Sequence, residues 1–322
     1  MTPRDQTSST STQIWLRPNS LAILAIGLLL LWNPASATED PPSQIHFDRL
    51  ALIGGGAITF RYLGFEYVER TWYQGQKLDH IRWLNDWDGA TYLNFDKTGH
   101  FMGGLFISQT LNDGYTWAGF GTRTAAVLGT LTSWAALLEV EMRDAYFDQW
   151  GFSIPDFIAN TAGASLPLLH AFFPRTQAIS FKFSYFPSDL YRNNDLRATL
   201  NHPHIDHAID DYEGMTAWMT IAVKHLLPDR AAVLSPKYLG LALGYGTTGL
   251  HGSNVKSRGR FKYYPDRPDA QPELLLSLDY DLRQLPGRGR FWSYFKKQLN
   301  WIHFPAPAVR LYPVFRFYLI YM

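Results

Sequence analysis

Three short and otherwise apolar stretches of the chain carry ionisable or amide side chains that lie one helical turn apart. The pairs are Asp96 with His100, Glu141 with Asp144, and Asp156 with Asn160. Residues three or four positions apart share a face of an α-helix. Because charged groups are rarely buried without partners, we expect the three pairs to converge at one polar centre and to satisfy one another there.

Two kinds of chemistry fit such a centre. His100 would act as a general base, oriented by Asp96 or Asp156, with Lys97 stabilising an anion, because a carboxylate tunes the pKa of an imidazole. Alternatively, a divalent ion would bind to the charged set Asp96, His100, Glu141, Asp144 and Asp156. A purely structural network is the third reading. A catalytic centre should open onto a cleft, whereas a structural one should be sealed.

A second group of potential ligands is the run H-P-H-I-D-H at residues 202–207. It resembles the zinc motif of the metallo-β-lactamase hydrolases, in which the ligands would be His202, His204, Asp206 and His207. In that family the motif follows a buried apolar strand, whereas residues 191–201 here are polar. We therefore expect a His-rich loop and rank a metallohydrolase below the other readings. No cofactor is firmly implied by the remaining motifs, so the cofactor stays unknown.

The segments that position the first centre have a helical pattern. The predicted helices are 50–73, 91–111, 117–144 and 154–173. Ser153 is expected to cap the last helix, which ends before Pro174. Gly99 and Gly103 are predicted to allow close helix packing, because small residues four positions apart lie on one face.

After Pro174 the hydrophobic pattern alternates, which is typical of half-buried antiparallel strands. The predicted strands are 178–186, 217–227, 238–247, 273–282 and 314–321. Between them we predict a basic loop at 252–271 and an amphipathic helix at 291–302, whose aromatic side would lie in a membrane interface or pack on the sheet. The predicted class is α+β, with about four apolar helices at 38–174 followed by an antiparallel sheet of about five strands at 175–322.

Composition restricts the class of protein further. The formal net charge of +1 does not favour a nucleic-acid partner, and the absence of cysteine excludes disulfides. Aromatic residues form 16% of the chain, and Trp and Tyr concentrate at membrane interfaces as well as in cores. Residues 1–37 read as a signal peptide, because basic residues precede a short apolar run and the sequence P-A-S-A.

The three polar stretches resemble the DUF2279 family of predicted periplasmic proteins and lipoproteins, which includes YfiM-like proteins. Its pattern is D-K-x-x-H on one helix, E-x-x-D at the end of another, and W-G-F-S-x-x-D-x-x-x-N-x-x-G on a third. The matching residues here are Asp96, Lys97, His100, Glu141, Asp144, Trp150, Gly151, Phe152, Ser153, Asp156, Asn160 and Gly163. A weaker resemblance to VanZ-like membrane proteins covers the first motif and the end of the last. The chain lacks the cysteine of the lipoprotein members.

The resemblance implies a location in the cell envelope and no established reaction. Two functions therefore stay open. The first is an exported, membrane-associated envelope protein without enzymatic activity, whose partner is a membrane lipid or another envelope component. The second is an envelope hydrolase or transferase that acts on a lipid or cell-wall substrate through His100 and the neighbouring carboxylates. The expected location is the periplasm or an envelope membrane, with the outer membrane included; the sequence does not indicate an oligomeric state.

Overall fold

Four long helices form the N-terminal half of the protein. They are α1 (Phe47–Thr71), α2 (Phe95–Trp117), α3 (Thr122–Asp144) and α4 (Ile154–Phe172). The structure is a computed structural model that describes residues 44–71, 73, 75–89, 91–192, 208, 211–250 and 268–322. The predicted signal peptide and the H-P-H-I-D-H run lie outside the described residues, as does most of the predicted loop 252–271.

The helices α2, α3 and α4 pack on one another, whereas α1 lies at their margin. Most side chains of α1 are exposed, and α1 contacts α3 near the end of α3, for example through a 2.6 Å ion pair between Arg61 and Glu139. The N-terminal half is therefore three packed helices with a peripheral fourth rather than an even four-helix bundle. The physical reason is that apolar residues of α1 such as Leu52 and Phe60 face outward instead of meeting the core.

Two glycines allow α2 and α4 to approach closely. A Cβ atom on Gly163 would lie 1.9 Å from the carbonyl oxygen of Phe101, and one on Gly104 would lie 2.4 Å from a backbone oxygen of α4. A Cβ atom on Gly99 or Gly103 would meet nothing within 4 Å. The prediction that Gly99 and Gly103 make the close contact is wrong, because the helix presents the next position, Gly104, to α4.

The C-terminal half is a six-stranded antiparallel sheet in which the strands are neighbours in chain order. The strands are β3 (Ile179–Tyr185), β4 (Met215–Ala222), β5 (Leu239–Thr248), β6 (Gln271–Tyr280), β7 (Ala306–Tyr312) and β8 (Arg316–Tyr321). The α+β class is confirmed, and all five predicted strands overlap observed ones. The prediction missed β7, whose segment contains Pro305 and Pro307, and proline is a poor residue for the interior of a sheet.

Smaller elements complete the fold. A parallel pair of two-residue strands, β1 (Trp83–Leu84) and β2 (Phe152–Ser153), joins the segment before α2 to the segment before α4. The predicted amphipathic helix forms as α7 (Arg290–Leu299), after the short helices α5 (Asp189–Arg192) and α6 (Asp229–Ala232). Because β1 pairs with β2, the residues that follow each strand are brought close together.

The sheet buries its polar face and exposes part of its apolar face. Lys182 and Asp279 are 1% and 3% exposed, whereas Leu276 is 44% exposed. The sheet is strongly curved, since Tyr321 on β8 reaches Thr216 on β4 with 3.1 Å between their oxygens although three strands lie between them. The predicted alternation is therefore present, but the curvature turns the polar side chains inward.

The helices and the sheet meet in a hydrophobic core. Tyr92 and Phe95 pack with the buried Leu250, and the Tyr245 hydroxyl donates a hydrogen bond to the carbonyl oxygen of Leu93. The described residues from 44 onward belong to one compact unit. The division into domains 38–174 and 175–322 coincides with the change from helix to strand and stays a prediction.

Candidate functional site

The residues that the sequence singles out by helical spacing lie between α2, α3 and α4. Asp96, Lys97 and His100 occupy the first turns of α2, and Glu141 lies in the last turn of α3. Asp156 and Asn160 lie in the first two turns of α4, which begins after the cap Ser153. The Ser153 hydroxyl accepts a hydrogen bond from the Asp156 amide at 3.2 Å, so the predicted cap is confirmed.

The ammonium group of Lys97 is the centre of the first part of the cluster. Its Nζ atom lies 2.9 Å from Asp86 Oδ2, 2.8 Å from Asp96 Oδ2 and 2.9 Å from Asp156 Oδ1. All four side chains are largely buried. Burial alone would lower the pKa of Lys97, but Asp96 and Asp156 raise it above its ordinary value. Lys97 is therefore charged and held by three carboxylates, and it is not the free cation beside a substrate that the catalytic reading requires.

The imidazole of His100 is the centre of the second part. His100 Nδ1 lies 3.2 Å from Asn160 Oδ1 and 3.4 Å from Glu141 Oε1, and His100 Nε2 lies 3.7 Å from Asp156 Oδ2. The Asn160 amide nitrogen donates to Glu141 Oε1 at 2.9 Å. The side chain of His100 is 27% exposed, whereas that of Glu141 is 1% exposed. His100 is thus the accessible member, and Asn160 fixes the carboxylate behind it.

Asp144 lies beside this second part, one turn after Glu141 on α3. It is part-buried, and its neighbours include the hydroxyl of Tyr73 and the imidazole of His100. Burial raises the pKa of Asp144 to about 6. The structure therefore brings all seven residues predicted from the three helical stretches to one place, although their catalytic roles stay a prediction.

Sequence reasoning missed one member of the cluster, Asp86. It follows β1 in a loop without helical periodicity, so the spacing argument could not find it. The pairing of Leu84 with Ser153 brings Asp86 to the start of α4, where Asp86 Oδ1 accepts a hydrogen bond from the Ser153 hydroxyl at 2.8 Å. The available signal was the position of this acidic residue shortly after Trp83 and directly before Trp87.

The pKa values reflect an excess of acidic groups. Burial raises the pKa of Glu141 to about 8 and that of Asp96 to about 6. Burial also opposes ionisation of Asp86, but the charge and hydrogen bond of Lys97 together with the hydroxyls of Ser153 and Thr91 lower its pKa below the ordinary value. The pKa of His100 is raised, because Asp156 and Glu141 outweigh the effect of burial. Among the described residues, five carboxylates therefore share one lysine and one histidine.

A cavity of about 130 Å³ adjoins the cluster. Its polar wall is formed by Asp86, Asp96, His100, Asp144 and Asp156. This volume holds about four water molecules at about 30 Å³ each, and it is smaller than the roughly 300 Å³ of the smallest drug-sized pockets. The cluster is therefore open to water, an ion or a small chemical group rather than sealed.

Comparison with known proteins adds one match. Residues 83–171 match the family model described as "Predicted periplasmic lipoprotein (DUF2279)". The match runs from β1 to the end of α4, just over a quarter of the chain, and it includes every charged residue of the cluster. The predicted resemblance to DUF2279 is confirmed, and the likeness to VanZ-like proteins stays a prediction. No curated protein and no solved structure matches the chain.

The family description supports an exported, envelope-associated location. It assigns no reaction to these proteins. The features of the structure that indicate a function are therefore the geometry of the cluster and the surface of the sheet.

Proposed function

We propose that this protein is an exported component of the cell envelope that associates with a membrane through the outer face of its curved sheet. The proposal is based on the orientation of the sheet, which exposes apolar residues and buries polar ones. An antiparallel sheet that faces water on one side is expected to place polar residues there. Here the outward residues are apolar, and contiguous exposed apolar surface marks contact with a membrane or another protein.

The exposed apolar residues are spread over neighbouring strands. Leu243 on β5 and Leu276 on β6 are paired across the strands, and each is 44% exposed. On β8, Phe317 is 62% exposed and Leu319 is 73% exposed. Leu276 also pairs with Val309 on β7, and Val309 pairs with Phe317 on β8, so Leu243, Leu276 and Phe317 belong to one face rather than to scattered surface positions. That continuity favours a lipid surface over a small ligand as the occupant.

The helix α7 also exposes aromatic side chains. Phe291 is 74% exposed, and Trp292, Tyr294 and Phe295 are also exposed. The Lys296 ammonium is directed inward and donates to the carbonyl oxygens of Leu285 and Gly287. The alternative reading, in which the aromatic side packs on the sheet, is therefore disfavoured. Exposed Trp and Tyr side chains suit the interface between lipid headgroups and acyl chains.

Within the described residues, α3 is long and apolar enough to cross a membrane by length and composition. A core helix has the same properties, and α3 carries the buried Glu141 and packs on α2 and α4. The proposal therefore rests on the exposed surfaces of the sheet and of α7 and does not use α3 as a membrane span.

Vesicle flotation tests the membrane proposal. The purified full chain should float with phospholipid vesicles, and the double variant Leu243→Lys with Leu276→Lys should lose about 10-fold or more of its bound fraction, because two charges would enter the apolar face. The control is Leu234→Lys, since Leu234 is 86% exposed in the turn before β5 and away from the paired strands. Equal flotation of the double variant and the control, or recovery of the wild-type protein without the vesicles, would contradict the proposal.

A second candidate function is an envelope hydrolase or transferase. It is favoured by one observation, namely that the partly exposed His100 lines an open cavity together with four carboxylates. In this reading His100 is the general base and Asp156 orients it. Turnover of phospholipid or peptidoglycan fragments by the wild-type protein should fall at least about 100-fold in His100→Gln. Glu139→Gln, on the surface of the same bundle, should retain turnover. The absence of turnover in the wild-type protein would remove this candidate.

A further inference from the structure

The cluster contains two groups of three potential ligands, and Asp156 belongs to both. Asp86, Asp96 and Asp156 form the first group, and His100, Glu141 and Asp156 form the second. Within each group the ligand atoms lie within 4.8 Å of one another. The first group surrounds a cation already, because Lys97 Nζ lies 2.8–2.9 Å from all three carboxylates. The ammonium of Lys97 therefore shows how this cluster balances buried negative charge.

The second group has the same spacing, but among the described residues its ammonium contact is confined to Asp156, whose Oδ1 lies 2.9 Å from Lys97 Nζ. Its members instead contact each other, at 3.4 Å between His100 and Glu141 and at 3.7 Å between His100 and Asp156. Glu141 is 1% exposed, and an isolated buried carboxylate is costly unless it is paired, protonated or bound to a metal. Asp156 shares its ammonium partner, because Lys97 Nζ also lies 2.8–2.9 Å from Asp86 and Asp96. The described cations thus leave part of the negative charge uncompensated.

We propose that His100, Glu141 and Asp156 bind one divalent cation of the first transition row, of the zinc or manganese type. One imidazole and two carboxylates form a ligand set that suits such ions. Metal–ligand distances of about 2.0–2.2 Å place the ligand atoms of one ion within about 4.4 Å of each other, and the observed spacing needs little adjustment. Asn160 would hold Glu141 in position through its 2.9 Å hydrogen bond.

The cavity of about 130 Å³ gives solvent access to the second group. It reaches the group at His100 and Asp156, so an ion could enter from solvent and keep water in its remaining coordination positions. A site with three protein ligands and open positions is typical of metals that activate water, whereas structural zinc sites have four protein ligands. The inference does not depend on membrane association, because its test measures binding of the metal itself.

Calorimetric titration with Zn²⁺ tests the proposal on the full chain. The H-P-H-I-D-H run is a competing source of binding, so the reference protein carries His202→Ala, His204→Ala and His207→Ala. The reference should bind one equivalent of Zn²⁺, and adding Glu141→Gln should weaken binding at least about 100-fold, because loss of even a supporting contact costs about 10- to 100-fold. Adding Glu139→Gln instead removes the same charge from α3 at the surface and should leave the affinity unchanged.

A second variant keeps the test independent of folding defects. His100→Gln changes a partly exposed ligand, and Co²⁺ bound to the reference should show a visible absorption spectrum that changes in this variant. Circular dichroism of each metal-free variant checks that it is folded. Loss of stoichiometric Zn²⁺ binding in the reference would assign the metal to the loop and overturn the proposal. Equal affinities of the Glu141→Gln and Glu139→Gln proteins, or an unchanged Co²⁺ spectrum in His100→Gln, would overturn it as well.

Discussion

The helical cluster and the interior of the sheet both bury charged side chains, but they balance the charges differently. In the sheet, Lys182 Nζ lies 2.9 Å from Asp279 Oδ1 and also donates to the carbonyl oxygen of Tyr280. That arrangement pairs one cation with one anion. In the cluster, Lys97 is shared by three carboxylates, and Glu141 is a further buried carboxyl group without an ammonium partner among the described residues.

The difference indicates which of the two regions compensates its buried charges without a further ion or proton. A one-to-one pair with an additional hydrogen bond satisfies both buried partners, as expected of a structural contact. A cluster with excess negative charge must take up protons or a cation, because burial penalises each unpaired charge. The charged pair inside the sheet is therefore a structural contact, whereas the cluster has the composition of a binding site.

Replacement of either buried lysine should give the largest losses of stability. We expect Lys97→Met to lower the free energy of unfolding by about 3–5 kcal/mol, the range for breaking a buried ion pair by removing one partner. Lys182→Met should cost less, because it leaves Asp279 alone, whereas Lys97→Met leaves three carboxylates without their cation. Urea unfolding of both variants at pH 7 measures the difference. A larger loss in Lys182→Met than in Lys97→Met would contradict the proposed contrast between the two regions.

Much of the cluster could be predicted from the sequence because helical periodicity is local. The four-residue spacing of Asp96 and His100 puts both on one side of α2 wherever that helix packs. The packing partner was not predictable in the same way, and Gly104 rather than Gly103 makes the close contact with α4. Asp86 was missed because the contact that places it, between β1 and β2, joins residues far apart in the sequence.

The sheet shows a different limit. The alternation of apolar and polar residues predicted five strands, because a two-residue period can be seen within a short segment. It could not show which face of the sheet is buried. That choice depends on the curvature that brings Tyr321 to Thr216, and the curvature results from all six strands together. The position of the strands could therefore be predicted from the sequence, whereas the side on which the solvent lies could be found only from the structure.

Neutralising one acid in each region should give opposite signs. Glu141→Gln removes excess charge and keeps an oxygen acceptor for Asn160, so we expect the metal-free protein to gain about 1 kcal/mol at pH 8.5. Asp279→Asn leaves Lys182 buried without a counter-ion and should lose about 3 kcal/mol. Chelator-treated samples in urea unfolding measure both changes. Glu139→Gln is the control for a surface carboxylate, and a loss in Glu141→Gln similar to that in Asp279→Asn would remove the distinction.

The smallest effect concerns a buried histidine of the sheet. His303 is 1% exposed and stacks on Trp218 with 4.0 Å between ring centroids. Burial lowers its pKa from 6.5 to about 4, although Asp279 opposes this and Lys182 contributes to it. Below pH 6.5 the unfolded chain therefore binds a proton that the folded protein excludes. The stability contributed by neutral His303 is fully present above pH 6.5 and is lost as the pH falls toward 4.

Between pH 6.5 and 5.5 this loss should amount to about 1 kcal/mol in the wild-type protein relative to His303→Gln. The pH effect must be compared between the two proteins, because Asp96, Glu141 and Asp144 have raised pKa values and change the stability with the opposite sign in both. Urea unfolding at the two pH values provides the measurement, with His225→Gln as the control for an exposed imidazole. Equal pH dependence in the wild-type protein and His303→Gln would show that the sheet interior admits a proton. The sheet interior and the cluster would then differ in their number of charged groups but not in their access to protons.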